Sequence, residues 1–350
     1  MPANLPIRNV LVTGGAGYVG SALVPQLLDL GYWVRVLDLY LYGDDVLCGC
    51  RGSRLEEIRG DVRDAPLLSR ILSECDAVIH LAGISNDPSV DLDPALSRSI
   101  NFDSFGPLVR ESIAAGVRRF IFASSASVYG ISDQPSVGED HPLKPVSEYN
   151  RLKAACESLL FEHQAPEFTT VAVRPATLCG YAPRLRLDLT VNILTAQAVE
   201  RRNITVFGGE QRRPCLHLDD MVDLYCLLLR APAEWVHCQI FNVGYENLSV
   251  ADIATLVKEV VEHESPNHFP IRIETQPSED PRTYHICSDK IRRQLGFAPR
   301  RTIGDAVRSL LRAFSEGKIP HALSDEKYYN VKVLKRIQSR LLKGNGNGGG

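Results

Sequence analysis

Six short apolar runs alternate with helix-like stretches through the first half of the chain. The run at 77–82 is apolar on both faces, and residues 21–30 have apolar positions at helical spacing. Apolar strands separated by helices are typical of a parallel sheet that is covered on both sides. The pattern therefore predicts an α/β fold built on a doubly wound parallel sheet. The predicted strands span 9–13, 33–38, 55–61, 77–82, 117–124 and 169–175.

The pattern loosens after residue 175, where short strands and helices are mixed with Pro and Arg. This irregular half predicts a smaller mixed α/β domain that faces a substrate, and the Gly/Asn-rich residues 343–350 predict a flexible tail. The predicted elements are a buried strand at 240–244 that rejoins the main sheet and helices at 250–263, 290–295 and 302–314. The expected division is 7–175, rejoined by about 214–244, for the sheet domain, and 176–213 with 245–320 for the smaller domain.

Composition and charge exclude several classes of protein. The 350 residues are 44% hydrophobic and carry a formal net charge of −3, which favours a large core and recruits neither nucleic acid nor an anionic membrane. The nine cysteines and nine histidines are dispersed, so we expect no metal site. The first residues lack the regions of a signal peptide, and no apolar run approaches the roughly 20 residues of a membrane span. We therefore expect a soluble cytoplasmic protein with free thiols.

A glycine-rich turn follows the first predicted strand and opens a helix. Gly14, Gly17 and Gly20 have the spacing that permits a tight turn, close approach of the backbone to a pyrophosphate, and close packing of the helix on the sheet. The amides of the turn, with Tyr18 and Val19 among them, and the helix dipole then favour the anion. Asp38 ends the next strand, where its carboxylate accepts hydrogen bonds from a ribose and repels the extra phosphate of NADP. The arrangement predicts a Rossmann-type site for NAD.

Two further strand ends are expected to contact the dinucleotide. Asp61 and Val62 follow the third strand, at the position of an adenine edge, although a plain turn is an open alternative. Leu81, Ala82 and Gly83 end the fourth strand, where small residues let a cofactor pass. We interpret His80, just before them, as a core histidine.

A tyrosine and a lysine four residues apart lie in a predicted helix. Tyr149 and Lys153 therefore share one face, where the ammonium favours the phenolate, and the phenolate can remove a hydroxyl proton while a hydride leaves carbon. The fifth strand ends in Ser124, Ser125 and Ser127, and the carboxyl ends of such strands are where a doubly wound sheet binds ligands. Together these residues predict a redox site beside the glycine turn.

These motifs occur in the order and separation found in one enzyme family. From about residue 8 to about 320 the chain resembles the extended short-chain dehydrogenases/reductases, in the nucleotide-sugar epimerase/dehydratase branch whose best-known member is UDP-glucose 4-epimerase. The resemblance implies that Ser125 hydrogen-bonds the reacting sugar oxygen, that Tyr149 is the acid/base, and that Lys153 holds the nicotinamide ribose and tunes Tyr149. It also implies that Ser127 faces the substrate.

The resemblance extends to the residues that hold a nucleotide sugar. It implies that Arg213 and Arg282 bind the diphosphate, for which a planar guanidinium is suited, and that Asn192 contacts the substrate from the start of a helix. Pro175 and Thr177 stand where relatives line the nicotinamide and the sugar. Arg184 and Arg186 add anion contacts if the sugar is a uronic acid, or are simply solvated. Pro214 and Cys215 depart from the family's usual Asp and aromatic residue, which leaves the nucleobase open.

The two residues that directly precede the Val-Tyr-Gly stretch distinguish the reaction types of this branch. The 4,6-dehydratases carry Asp-Glu where this chain has Ala126 and Ser127, and the 3,5-epimerases carry a Cys base in place of Ser127. The resemblance therefore favours an NAD-dependent epimerase acting at C4 of a nucleotide-diphosphate sugar through a transient 4-keto intermediate. A nucleotide-sugar reductase, dehydrogenase or dehydratase stays an alternative, as does a non-enzymatic NAD-binding scaffold or sensor. Relatives pair two helices per subunit, so we expect a homodimer through residues 93–115 and 148–163.

Overall fold

A computed structural model of the chain describes residues 6–132, 134, 136–265, 269–278 and 285–345, with only the backbone of 340–345. In this part of the chain, seven parallel strands form the main sheet in the order β10-β6-β5-β4-β1-β2-β3. The predicted doubly wound sheet is confirmed. Its strands are β1 (Asn9–Thr13), β2 (Trp33–Asp38), β3 (Leu55–Arg59), β4 (Ala77–His80), β5 (Arg119–Ala123), β6 (Thr169–Pro175) and β10 (Gln239–Val243).

Side chains of successive residues in each central strand pack on opposite faces of this sheet. Val10 and Val12 of β1 lie in one apolar core, and Leu11 between them lies in another. Both faces are thus buried, which explains why the strands read as continuous apolar runs. The helices of this half are α1 (Tyr18–Asp29), α2 (Ala65–Leu72), α3 (Asp87–Val90), α4 (Pro94–Arg98), α5 (Phe105–Ala114) and α6 (Glu148–Glu162). A π-helical segment, Ser99–Asp103, interrupts the long helix predicted over 93–115.

The second half adds two small sheets. One has the order β11-β9-β7 and the other pairs β12 with β8. Their strands are β7 (Thr177–Cys179), β8 (Asn203–Phe207), β9 (Arg212–His217), β11 (Glu246–Ser249) and β12 (Arg272–Gln276). The helices of this half are α7 (Thr190–Arg201), α8 (Leu218–Arg230), α9 (Ala233–Val236), α10 (Val250–Glu264), α11 (Asp289–Leu295), α12 (Ile303–Ser315) and α13 (Asn330–Asn345).

Two sequence expectations need correction. The strand that rejoins the main sheet is β10, beside β6, whereas residues 214–217 at the start of the expected segment belong to β9 in a small sheet. Cys215 of β9 is buried in the separate core formed with α7, α10 and α12, which holds the strand there. Residues 343–345 of the expected tail continue α13, whose first turn is anchored by the fully buried Val333, and residues from 346 onward lie outside the described ones.

The C-terminal part of the chain returns to the glycine turn. A further apolar cluster joins Tyr18 of α1 with Leu185, Leu187 and Tyr328. In addition, the Leu187 amide donates a hydrogen bond of 2.9 Å to the Tyr328 carbonyl. This packing places the start of α13 beside the carboxyl ends of the main-sheet strands. Among the described residues, no helix combines the length and apolarity needed to cross a bilayer.

Candidate active site

A cavity of about 700 Å³ opens at the carboxyl ends of the main-sheet strands. The glycine turn forms one wall, the end of β5 and the start of α6 form a second, and the segment after β6 forms a third. Ligands bind at this position in doubly wound sheets. Predicted site residues that line the cavity are Gly14, Gly17, Tyr18, Val19, Gly20, Leu81, Gly83, Ser125, Ser127, Tyr149, Lys153, Pro175, Thr177 and Arg213.

Steric contacts explain why glycine occupies two positions of the turn. Gly14 has φ of +73°, and a Cβ there would lie 2.6 Å from the backbone nitrogen of Ala82. At Gly20 an added Cβ would collide with the backbone of Gly15. The turn therefore packs against the end of β4, and helix α1 starts directly from it. Ala82 contributes to the site through this backbone contact and does not itself line the cavity.

Asp38 supports the glycine turn from beneath. Its carboxylate accepts hydrogen bonds from the amides of Ala16, at 3.0 Å, and Tyr40, at 2.8 Å. Burial raises the pKa of this carboxyl, while the two amides act in the opposite direction. Asp38 lies outside the residues that line the cavity. Its contact with a ribose stays a prediction.

The residues predicted at the adenine edge also lie outside the cavity lining. Asp61 forms an ion pair with Arg63, with 2.6 Å between Oδ2 and Nη2, and this pair lowers the pKa of the carboxyl. Val62 is buried in the core on one face of the sheet. The ion pair between Asp61 and Arg63 thus stabilises this turn. Its contact with adenine stays a prediction.

Tyr149 and Lys153 share one face of α6, as their spacing predicts. The Lys153 Nζ atom lies 5.9 Å from the centre of the Tyr149 ring and donates a 2.7 Å hydrogen bond to the Ala123 carbonyl. Withdrawal from solvent lowers the pKa of Lys153 to about 8, against the opposing influence of Cys156 and Glu157. The ammonium is therefore held between the end of β5 and the phenol, and it is still mainly protonated at neutral pH.

The serines at the end of β5 have distinct surroundings. Ser127 Oγ donates to Asn150 Oδ1 at 2.6 Å and lies 2.8 Å from Ser125 Oγ, which also accepts the Ser127 amide at 3.2 Å. Because the Ser127 proton is used on Asn150, Ser125 is the donor between the two hydroxyls. Ser124 also lines the cavity, but its hydroxyl donates to the buried carboxylate of Glu157. Sequence reasoning missed Asn150, whose only signal is its place beside Tyr149.

The predicted substrate residues are not all brought together. Thr177 and Arg213 line the cavity, whereas Asn192 is fully buried behind it. The Asn192 amide accepts from the Gly180 nitrogen at 3.0 Å and donates to the Arg186 carbonyl at 2.9 Å and the Tyr18 hydroxyl at 3.1 Å. In this structure Asn192 thus holds the wall of the site rather than facing the cavity. Arg282 lies outside the described residues.

His80 is a core residue, as its sequence position indicated. Its ring is buried beside Phe105 and Phe122, and Nδ1 lies 2.7 Å from the Thr13 hydroxyl. Burial, with a smaller effect of the Lys153 charge, lowers the pKa of His80 to about 3. The imidazole is therefore neutral near pH 7 and takes no part in the proton chemistry of the site.

Comparisons with known proteins agree with this geometry. A sequence profile of the NAD-dependent epimerase/dehydratase family matches residues 10–244, well over half of the chain. The chain belongs to this family. UDP-glucose 4-epimerase 2 of Arabidopsis thaliana is 29% identical over 334 residues, which cover 87% of this chain and 94% of the relative. The dTDP-glucose 4,6-dehydratase of Streptomyces griseus is 30% identical over 318 residues, which cover 85% and 92%.

A solved structure shows the same fold. MoeE5 in complex with UDP-glucuronic acid and NAD is 26% identical, with a TM-score of 0.76 over 88% of this chain and 99% of that chain. The predicted family resemblance and its NAD-type fold are thereby confirmed.

The residues of this chain fit the family's cofactor. A Cβ at Gly17 would lie 3.1 Å from the Gly14 carbonyl oxygen and would crowd the cradle that a pyrophosphate needs. The amides that follow Gly17 open the 12-residue helix α1 towards the cavity, which favours an anion there. When bound, NAD supplies reversible hydride transfer at this site.

Proposed function

We propose that this member of the family epimerises a nucleotide-diphosphate sugar at C4. The observation that carries the proposal is the convergence of Ser125, Tyr149 and Lys153 on one cavity beside the glycine turn. The name of the Arabidopsis relative, UDP-glucose 4-epimerase 2, supports the same reaction.

The chain's own residues perform proton transfer and positioning. Tyr149 removes the proton of the C4 hydroxyl, while the Ser125 hydroxyl turns its own proton from Ser127 to the same oxygen and donates a hydrogen bond there. The Lys153 ammonium stabilises the phenolate form of Tyr149. NAD held beside the glycine turn would supply reversible hydride transfer at C4, and Tyr149 would return the proton when C4 is reduced from its opposite face. Nothing is gained or lost overall, so the cofactor can stay bound.

The cavity lacks free carboxylates suited to elimination of water. Among the described residues, the acidic side chains that line it are Asp87 and Asp188. Asp188 accepts from the Nε and Nη2 atoms of Arg186 at 2.9 and 3.0 Å, and Asp87 accepts from the Ser147 hydroxyl at 2.6 Å. A 4,6-dehydratase needs an acid and a base there, so the lining favours epimerase over dehydratase.

Tyr149→Phe tests the proposal directly. Turnover of UDP-glucose or UDP-glucuronate, followed by NMR of the sugar protons, should fall by about a hundredfold or more, because the general acid/base is removed. NAD binding, measured by calorimetry, should persist. Tyr245→Phe, at an exposed tyrosine outside the cavity lining, is the matched control. Unchanged turnover in Tyr149→Phe would remove this residue from the mechanism.

Two further measurements separate the alternatives. Stoichiometric accumulation of NADH from a sugar nucleotide would indicate a reductase or dehydrogenase, whereas NAD retained through gel filtration supports epimerisation. NAD binding without turnover of any UDP-, GDP-, CDP- or dTDP-sugar would indicate a scaffold or sensor.

Several finer predictions belong to this proposal. We propose a substrate-facing unit from 176–213 and 245–320, a diphosphate contact from Arg213, and a homodimer through residues 93–115 and 148–163. We also propose a cytoplasmic location, which the nine free cysteines support, since disulfides are common in oxidising compartments.

A further inference from the structure

The cavity contains a buried guanidinium whose hydrogen-bonding capacity is only partly used. Arg184 is 4% exposed and lines the cavity, and its Nε atom has no hydrogen-bond partner. Among the described residues it forms no ion pair. Arg186, on the same wall, differs because Asp188 compensates its charge at 2.9 Å. A buried charge is costly unless a partner neutralises it, so Arg184 is arranged for an anion that the chain itself does not supply.

Contacts of Arg184 place it on the dinucleotide side of the cavity. Its amide donates to the Ser21 hydroxyl at 3.2 Å, one residue after Gly20 of the glycine turn. Its guanidinium carbon lies 3.7 Å from the centre of the Tyr42 ring, in the segment that follows Asp38. Ser21 belongs to α1 and Tyr42 to the loop after β2, so both contacts lie on the side of the cavity that the glycine turn forms. The diphosphate of a bound dinucleotide is expected on this side in a doubly wound fold.

The C-terminal helix holds this guanidinium in place. Arg184 Nη2 donates to the Asn330 side-chain oxygen, and the Asn330 amide nitrogen donates to the Ser85 hydroxyl at 3.0 Å. Asn330 is the first residue of α13, and residues 329–332 line the cavity. The positive end of a 16-residue helix therefore points towards the same space. Residue 330 lies outside the 10–244 match to the family profile.

We propose that Arg184 binds the diphosphate of the dinucleotide and that Asn330 is its positioning residue, so that the start of α13 forms the outer wall of the cofactor site. The inference rests on the proposed use of NAD. It assigns the C-terminal segment a role in cofactor retention, separate from proton transfer at Tyr149.

The test measures binding rather than turnover. Calorimetry of the full chain with ADP-ribose, adenosine and UDP compares wild type with Arg184→Gln. Affinity for ADP-ribose and for NAD should fall about tenfold or more, since a charge-assisted contact is lost. Affinity for adenosine, which lacks phosphate, and for UDP, which stands for the sugar-nucleotide diphosphate, should change less than about twofold. Arg70→Gln, at an exposed arginine on α2, is the matched control.

Asn330→Asp keeps the size of the side chain and gives Arg184 a counter-charge. It should weaken ADP-ribose binding several-fold, and the loss in the double variant with Arg184→Gln should be smaller than the two single losses combined, because Asn330 acts mainly through Arg184. If Arg184→Gln fails to fold, this variant carries the test.

Three results would count against the inference, or against its basis. Unchanged ADP-ribose affinity in both variants would overturn it. A loss confined to UDP would assign the guanidinium to the substrate and overturn it equally. Failure of wild type to bind NAD would count against the proposed function itself.

Discussion

Burial gives two neighbouring basic side chains opposite roles. Loss of solvent lowers the pKa of His80 to about 3 and that of Lys153 to about 8. The imidazole is thereby kept neutral in the core, whereas the ammonium keeps most of its charge at neutral pH. The environment of each residue, and not its type, decides which of them takes part in proton chemistry.

Lys153→Met should change the pH dependence of stability. The pKa of Lys153 falls from about 10.5 to about 8 on folding, so the unfolded chain binds more protons between these values. The free energy of unfolding of wild type therefore rises with pH across this window, relative to the variant. Urea unfolding at about pH 7 and about pH 10 measures the difference. A difference that does not vary with pH would contradict the lowered pKa.

Adjacent serines at the end of β5 should respond differently to replacement. Ser125→Ala should lower kcat by about tenfold or more with unchanged stability, because it removes a donor to the reacting oxygen. Ser124→Ala should lower the free energy of unfolding by about 1–3 kcal/mol, because the buried carboxylate of Glu157 loses a hydrogen bond. Steady-state kinetics and urea unfolding of both variants make the comparison. Equal loss of kcat in both would remove the distinction.

The glycine turn shows how one element positions the site. The turn joins β1 to α1 and packs on the end of β4, so its backbone lies where a pyrophosphate is held. Asp38 at the end of β2 fixes the turn through the Ala16 amide. The element works through close backbone contacts that larger residues would prevent.

Gly20→Ala should destabilise the protein by about 1–3 kcal/mol, since the new Cβ collides with the Gly15 backbone. Gly49→Ala, where an added Cβ meets nothing within 4 Å, should change stability by less than about 0.5 kcal/mol. Urea unfolding of both variants isolates the packing effect from the change of residue type. Equal stabilities would show that the helix does not need this close approach.

At the scale of the whole molecule, the packing of distant segments completes the site. The cluster around Tyr18 and Tyr328 brings the segment just before the last helix against the first helix. The proposed homodimer would add a second level of packing, through residues 93–115 and 148–163.

Light scattering at micromolar concentration should give twice the mass of one chain. Ile113→Glu, at an exposed isoleucine on α5, should shift the protein towards monomer, because a charge would be placed in an apolar contact. Ile273→Glu, at an exposed isoleucine of β12, should leave the mass unchanged. A monomeric wild type would contradict the proposal.

The sequence by itself determined the order of strands and helices, the glycine turn, and the shared face of Tyr149 and Lys153. These features depend on spacing within one element, and the carboxyl ends of parallel strands necessarily meet at one edge. Spacing therefore placed the serines that follow β5 at that edge, and the family resemblance singled out Ser125 among them.

Only the tertiary structure decided which polar side chains face the cavity. Asn192 was expected to face substrate and is instead enclosed by Gly180, Arg186 and Tyr18. Arg184 meets Asn330 across 146 positions of the chain. No local pattern encodes such a contact, because it depends on how separate apolar surfaces pack, and that packing also decides which charges lose their solvent.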